Sequence, residues 1–230
     1  MNLPELFVAV DYTKKEDVHE LIQKLEPVKG DFGYKINLDL LLLENGIGVV
    51  DEFIAYGRPI FVDLKMWNGR RTMSAIVDKL ASTGVALTNI YAHAGADFLQ
   101  GAVDAVDGRD LKILGLTVLT HYTEADTQRL YKRDFRSAAR MLAEIAEDGN
   151  CYGIVVPATV LDVVSDLDLT NLTPGIRPIW YENRKDNWQS QTVTPAIAKE
   201  NGSDFLVCGG PIRKAQDPAE ALRKTLVELK

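Results

Sequence analysis

In PIFVDLKMWNGRRTMSAIVDKLAS, residues 59–82, a short apolar run gives way to a segment whose apolar residues return every three or four positions. The first half reads as a buried strand and the second as an amphipathic helix, so the stretch is one strand–helix unit. Two charges interrupt the strand, Asp63 and Lys65, and Asn68 follows three positions later. Residues two apart on a strand face the same side. Asp63 and Lys65 are therefore expected to share one face, and the apolar residues around them make that face an interior.

The same alternation runs through the chain. Candidate strands are LFVAVDY (6–12), FGYKINL (32–38), PIFVDLK (59–65), LTNIYAH (87–93), KILGLTVL (112–119), YGIVVPA (152–158), NLTPGIR (171–177) and DFLVCGG (204–210). Between them lie amphipathic stretches such as KEDVHELIQKL, FRSAARMLAEIAEDG and PAEALRKTLVEL. Eight strand–helix units in 230 residues predict an α/β fold, a TIM (β/α)8 barrel, as a single domain over residues 1–230. An open doubly wound sheet is the alternative, but it favours a GxGxxG turn after the first strand, where this chain has DYTKKED. No low-complexity or Pro/Gly/Ser-rich linker divides the chain. The least regular stretch, IWYENRKDNWQSQT at 179–192, is expected to be a mobile loop over a site, with its aromatic residues packing the closed loop.

Composition narrows the function classes. With 26 Lys and Arg against 33 Asp and Glu the formal charge is -7, so no surface-wide attraction to nucleic acid or to an anionic membrane is expected. An anionic ligand needs a local site instead. MNLPELFVAV lacks a basic leader region, and no window approaches 18 uncharged apolar residues, so a cytoplasmic protein without a membrane span is expected. Cys151 and Cys208 sit in apolar runs without metal-ligand spacing and read as reduced buried thiols. Neither a disulfide framework nor a zinc site is indicated.

In a barrel of this kind, chemistry gathers at the C-terminal ends of the strands. The polar residues there are Asp11, Lys35, Asp63, Lys65, Tyr91, His93, Thr120 and the turn after Cys208. Buried ions are costly unless paired, so Lys35, Asp63 and Lys65 in apolar strands mark a site more readily than a structural bridge. Asp11 has two readings, as a site residue or as an acid ahead of the helix KKEDVHEL. His19, His93 and His121 read individually as core residues with satisfied polar tips. In CGGPIR, 208–213, Gly209 and Gly210 stand at a strand end before a helix, where bare backbone can cradle a phosphate. Gln189 and the basic residues of the preceding loop favour the same ligand.

Taken together, these residues resemble the orotidine 5'-phosphate decarboxylase family. The likeness runs over nearly the whole chain, through VAVDYTKKED, YKIN, FVDLKMWNGRRT, LGLTVLT, TPGIRP and VTPAIAKENGSDFLVCGGPI. The resemblance implies a homodimer with shared active sites, acting on orotidine 5'-phosphate to give UMP without metal or cofactor. It further implies that Asp63 faces the orotate carboxylate and that Lys65 stabilises charge at C6 and delivers the proton. Lys35 would orient Asp63 and contact the ribose, Asp11 would bind a ribose hydroxyl, and Thr72 would come from the partner subunit. Gln189 matches the residue that grips the phosphate.

The chain departs from the family pattern at four positions. Asn68 stands where the last acid of Asp-x-Lys-x-x-Asp is expected, Pro157 where a serine contacts the pyrimidine, Tyr91 at a strand-four histidine, and Gly210 at the phosphate arginine. Arg213, one turn on, is the candidate replacement for that arginine. Lys35, Asp63, Lys65 and Asn68 sum to +1, which predicts an extra anion at the site, a less rigidly aimed Lys65 and a lowered rate. Two other readings stand beside a decarboxylase: a non-catalytic or retuned nucleotide-phosphate-binding relative, and a sugar-phosphate decarboxylase or lyase. The second needs an additional acid for Mg²⁺ where the chain has Asn37 and Asn68.

Overall fold

The short apolar runs become strands and the amphipathic runs become helices, as their periodicities dictate. A computed structural model of the chain describes residues 3–42, 46–182 and 191–230. The strands are β1 Leu6–Ala9, β2 Gly33–Asn37, β3 Ile60–Met66, β4 Leu87–Tyr91, β5 Lys112–Leu116, β6 Gly153–Val155, β7 Thr170–Thr173 and β8 Phe205–Cys208. They pair in parallel and in chain order, and β8 closes on β1 through Leu6↔Leu206 and Val8↔Cys208. The expected (β/α)8 barrel is therefore observed, with all eight strands trimmed or shifted by a few residues.

Helices α1 Lys15–Leu25, α2 Leu38–Leu41, α3 Val49–Ile54, α4 Arg70–Ala81, α5 Ala96–Asp104, α6 Glu124–Tyr131, α7 Phe135–Asp148, α8 Pro195–Glu200, α9 Gly210–Arg213 and α10 Pro218–Val227 wrap the outside. Helix α1 buries Val18, Leu21, Ile22 and Leu25, the three-and-four spacing of one helical face. Helix α7 buries Ala138, Ala139, Leu142, Ala143 and Ala146, and this small-residue face lets it lie close to the barrel. A Cβ on Gly115 of β5 would stand 2.4 Å from the Cβ of Ala146, so only glycine permits that approach. Side-chain caps open several helices: Thr123 and Asp126 form a capping box on α6, Asp134 caps α7, Thr194 caps α8 and Asp217 caps α10.

Two apolar layers result. One lies between strands and helices; the other fills the barrel with Phe7, Phe61, Leu87, Leu114, Leu172 and Phe205 among others. Phe7 meets Phe61 and Phe205 edge to face, with centroids 6.0 and 6.3 Å apart. Cys151 and Cys208 are free and buried, as expected. Among the described residues no helix is long and apolar enough to cross a membrane.

Candidate active site

Above the phenylalanine layer the inward positions turn polar. Lys35 and Asn37 on β2, Asp63 on β3 and Asn89 on β4 meet at the C-terminal end of the barrel. The ammonium of Lys35 donates to Asp11 Oδ1 at 2.7 Å, Asn37 Oδ1 at 2.5 Å and Asp63 Oδ2 at 3.2 Å. Three acceptors for three protons fill its capacity, so its position is fixed. Asp63 Oδ2 also accepts from Lys65 Nζ at 2.5 Å, and its Oδ1 accepts from Asn89 Nδ2 at 2.7 Å.

The electrostatics follow from this pairing. Burial pushes the Asp63 carboxyl up, yet the Lys35 and Lys65 ammoniums and the hydrogen bonds from Lys65 and Asn89 outweigh it and hold the group down at about 2. Burial pulls the Lys35 ammonium the other way, and the charges of Asp63 and Asp11 overcome it and raise it above its ordinary value. Both residues are ionised at neutral pH in a setting that would neutralise either alone.

A cavity of about 440 Å³ opens above these groups. Asp11, Lys35, Asp63 and Lys65 line it on one side; Gly209, Gly210, Arg213, Lys214 and Arg177 line it on the other, with Thr120 and His121 between strand ends. The Arg213 guanidinium lies 4.9 Å over the Tyr12 ring, and among the described residues its buried Nε has no hydrogen-bond partner. One wall thus carries a fixed ion array, and the other presents cations beside bare glycine backbone.

Several expectations need correction. Lys65 is not buried with Asp63: its side chain is 42% exposed against 9% for Asp63. Its φ of 46° lies in the left-handed region, which breaks the simple alternation along β3. Asp11 does not act as an acid at the start of α1, whose N-cap is Lys14; it pairs with Lys35 instead. Asp11 joins these ions through Lys35, so the groups in contact, Asp11–Lys35–Asp63–Lys65, alternate in sign and sum to zero. His121 is exposed on the cavity wall rather than in the core, and His93 keeps a buried Nε2 without a partner among the described residues. His19 is also outside the core, bonded on the helix surface to Tyr56 and Glu52.

Other candidates stand outside this cavity. Asn68 is exposed and its Oδ1 accepts from the Gly69 N–H at 2.8 Å. Thr72 lies in the first turn of α4, and Pro157 opens a short 3-10 turn with its carbonyl accepting from Val160. Tyr91 stacks on His93 at 4.8 Å, which in turn meets the edge of the exposed Trp67. Gln189 and most of the loop at 179–192 lie outside the described residues.

A family model described as "Orotidine 5'-phosphate decarboxylase / HUMPS family" matches residues 4–225. The chain belongs to the orotidine 5'-phosphate decarboxylase / HUMPS family. Curated members named orotidine 5'-phosphate decarboxylase from Paramagnetospirillum magneticum and from a Caulobacter species are 32% and 33% identical to it, covering 97% and 98% of the chain and 97% of each relative. A solved structure titled orotidine 5'-phosphate decarboxylase from Lactobacillus acidophilus is similar over the full length of both chains, with a TM-score of 0.81 and 27% identity. An uncharacterised conserved protein from Geobacillus kaustophilus shares the fold at the same TM-score and 22% identity, covering 98% of this chain and 100% of its own.

For a member of this family, several site residues escape a reading of the sequence, Asn89 and Arg177 among them. Both line the cavity. Asn89 carried a usable signal: Leu87, Asn89 and Tyr91 alternate on one face of β4, so an amide is set into the interior of a core strand. Arg177 carried none, because its place in TPGIRP fixes no direction for its side chain.

Proposed function

We propose that this chain is a carboxy-lyase of pyrimidine biosynthesis that converts orotidine 5'-phosphate to UMP in the cytoplasm. The carrying observation is the alternating array Asp11–Lys35–Asp63–Lys65 at one wall of a cavity whose opposite wall is cationic. The phosphate sits toward Gly209, Gly210 and Arg213, with Gln189 and Thr120 as further contacts, and Asp11 and Lys35 take the ribose. The orotate carboxylate then faces Asp63. The bond from C6 to the carboxylate breaks, carbon dioxide leaves, and the electron pair remains at C6. The Lys65 ammonium opposes that charge and hands C6 one proton, which it recovers from solvent. Stabilisation present mainly at the moment of charge development raises turnover rather than ground-state binding.

The residues favour chemistry without a metal. Asn37 gives its oxygen to Lys35 and Asn68 gives its own to the Gly69 N–H, so neither position offers a carboxylate for Mg²⁺. This also weighs against a sugar-phosphate lyase.

The working form in this reading is a homodimer in which Asn68 and Thr72 enter the partner's site. Leu38, Leu42 and Trp67, just past the ends of the neighbouring strands β2 and β3, are 45, 76 and 65% exposed, which supports a second copy on that side. Free, buried Cys151 and Cys208 suit a reducing compartment.

The test is loss of orotate absorbance with the intact protein beside Lys65→Ala. Turnover that vanishes in the variant sustains the proposal. Tight UMP binding without release of carbon dioxide by the intact protein favours the second reading, a non-catalytic nucleotide-phosphate binder, whose motive is the uncharged Asn68.

A further inference from the structure

Strand β3 is irregular where its charges stand. Its pairing with β4 runs in step to Val62↔Thr88 and resumes at Met66↔Ile90. Asp63, Leu64 and Lys65 therefore lie opposite a single residue, Asn89. A bulge of this kind leaves backbone groups without ladder partners and turns the chain locally. Here it also puts Lys65 at a φ of 46°, in a region that non-glycine residues enter only under strain.

The side chain of Asn89 joins the two ends of the bulge. Its Oδ1 accepts from the Lys65 backbone N–H at 2.7 Å, and its Nδ2 donates to Asp63 Oδ1 at 2.7 Å. Only 1% of the residue is exposed, so no water competes for either bond. A carboxamide carries an acceptor and a donor on one carbon, which a carboxylate or an aliphatic side chain of similar size does not.

We propose that Asn89 is the positioning residue of the site, holding Lys65 in its left-handed conformation so that the ammonium returns to Asp63, and fixing the Asp63 carboxylate by its second oxygen. The geometry stands by itself; its catalytic consequence rests on the decarboxylase reading above. Without the carboxamide, Asp63 Oδ1 loses its one donor among the described residues and the strained residue loses its anchor. Lys35 and Lys65 still face the other oxygen, so the array loosens without dissolving. Misplacement by an ångström lowers turnover far more than binding, because the phosphate wall is untouched.

The experiment compares the full-length protein with Asn89→Leu, following two readouts. One is kcat and KM for orotidine 5'-phosphate; the other is the acid titration of the Asp63 carboxyl by carbon NMR, assigned with Asp63→Asn. The expected result is kcat lower by roughly 100-fold with KM within about threefold, and an Asp63 midpoint moved upward. An Asp63 midpoint equal to that of the intact protein, in a folded variant, overturns the proposal whatever the turnover. If the intact protein does not decarboxylate orotidine 5'-phosphate, the reaction is wrong and the Asp63 midpoint alone decides the role of Asn89. Should Asn89→Leu fail to fold, Asn89→Ala removes the same carboxamide without added bulk and is read identically.

Discussion

Lys65 reaches back along its own strand to Asp63, with Nζ 2.5 Å from Oδ2, while its side chain stays 42% exposed. Among the described residues Asp63 is the only hydrogen-bond partner of the Lys65 ammonium, which is therefore tethered at one point. In the homodimer proposed above, an acid at position 68 of a second copy would supply another. In this chain that position is an amide whose oxygen is taken by the Gly69 N–H.

Restoring the acid is therefore expected to help. A carboxylate about 4 Å from an ammonium attracts it by about 4 kcal/mol at an effective dielectric near 20, before the cost of desolvation is subtracted. Asn68→Asp is expected to raise kcat by about tenfold or more, since only a part of that attraction survives desolvation and differs between ground and transition states. Steady-state assays of the two proteins side by side decide it, and an unchanged kcat would sink the claim that Asn68 slows the chemistry.

The cationic wall makes its own prediction. Among the described residues nothing stands within 4 Å of where a Cβ on Gly210 would lie, and its φ is outside the left-handed region, so a side chain meets no clash at its base there. Gly210→Arg is expected to tighten UMP binding by about tenfold, a typical return for one charge-assisted contact. Arg213→Ala is expected to weaken it by a similar factor, with the Tyr12 ring losing its guanidinium. Calorimetric titration with UMP reads both, and an effect confined to kcat would argue against a phosphate role.

Acid stability reports on the buried array. The Asp63 carboxyl titrates at about 2 in the folded chain, below its ordinary 3.8, so the folded state binds fewer protons than the unfolded state between those values. A depressed carboxyl stabilises the fold above its unfolded pKa, and that share is lost as pH falls from about 4 to about 2. The share is on the order of 2 kcal/mol. Urea unfolding at a series of acidic pH values is expected to show a steeper decline across that window for the intact protein than for Asp63→Asn. Parallel curves would mean that Asp63 does not hold its charge in the fold.

Packing supplies a prediction away from the site. Gly115→Ala drives a methyl to within 2.4 Å of the Ala146 Cβ, which forces α7 off the barrel or strains both. The expected destabilisation is about 1 to 3 kcal/mol, read as a lower midpoint in thermal or urea unfolding with the cavity residues unchanged. A midpoint equal to that of the intact protein would mean that α7 yields freely.

The barrel was legible in the chain because its signals are local. Strand runs and helix faces such as Val18–Leu21–Ile22–Leu25 depend on residues a few positions apart. Lys35, Asp63 and Lys65 were legible for a related reason: charges set into apolar strands are costly, so they stand out without any knowledge of their partners. The partners themselves depend on register across strands. That Asp11 turns to Lys35 follows from the pairing of β1 with β2, and that three residues of β3 face Asn89 alone, with Lys65 in a left-handed backbone, goes with the shifted register of β3 on β4, which no local pattern encodes. The amino-acid sequence by itself determined the eight strand–helix units and the ions at their ends. Only the tertiary structure decided which of those ions touch, because hydrogen bonds at 2.5 to 3.2 Å are made between residues as many as 28 positions apart.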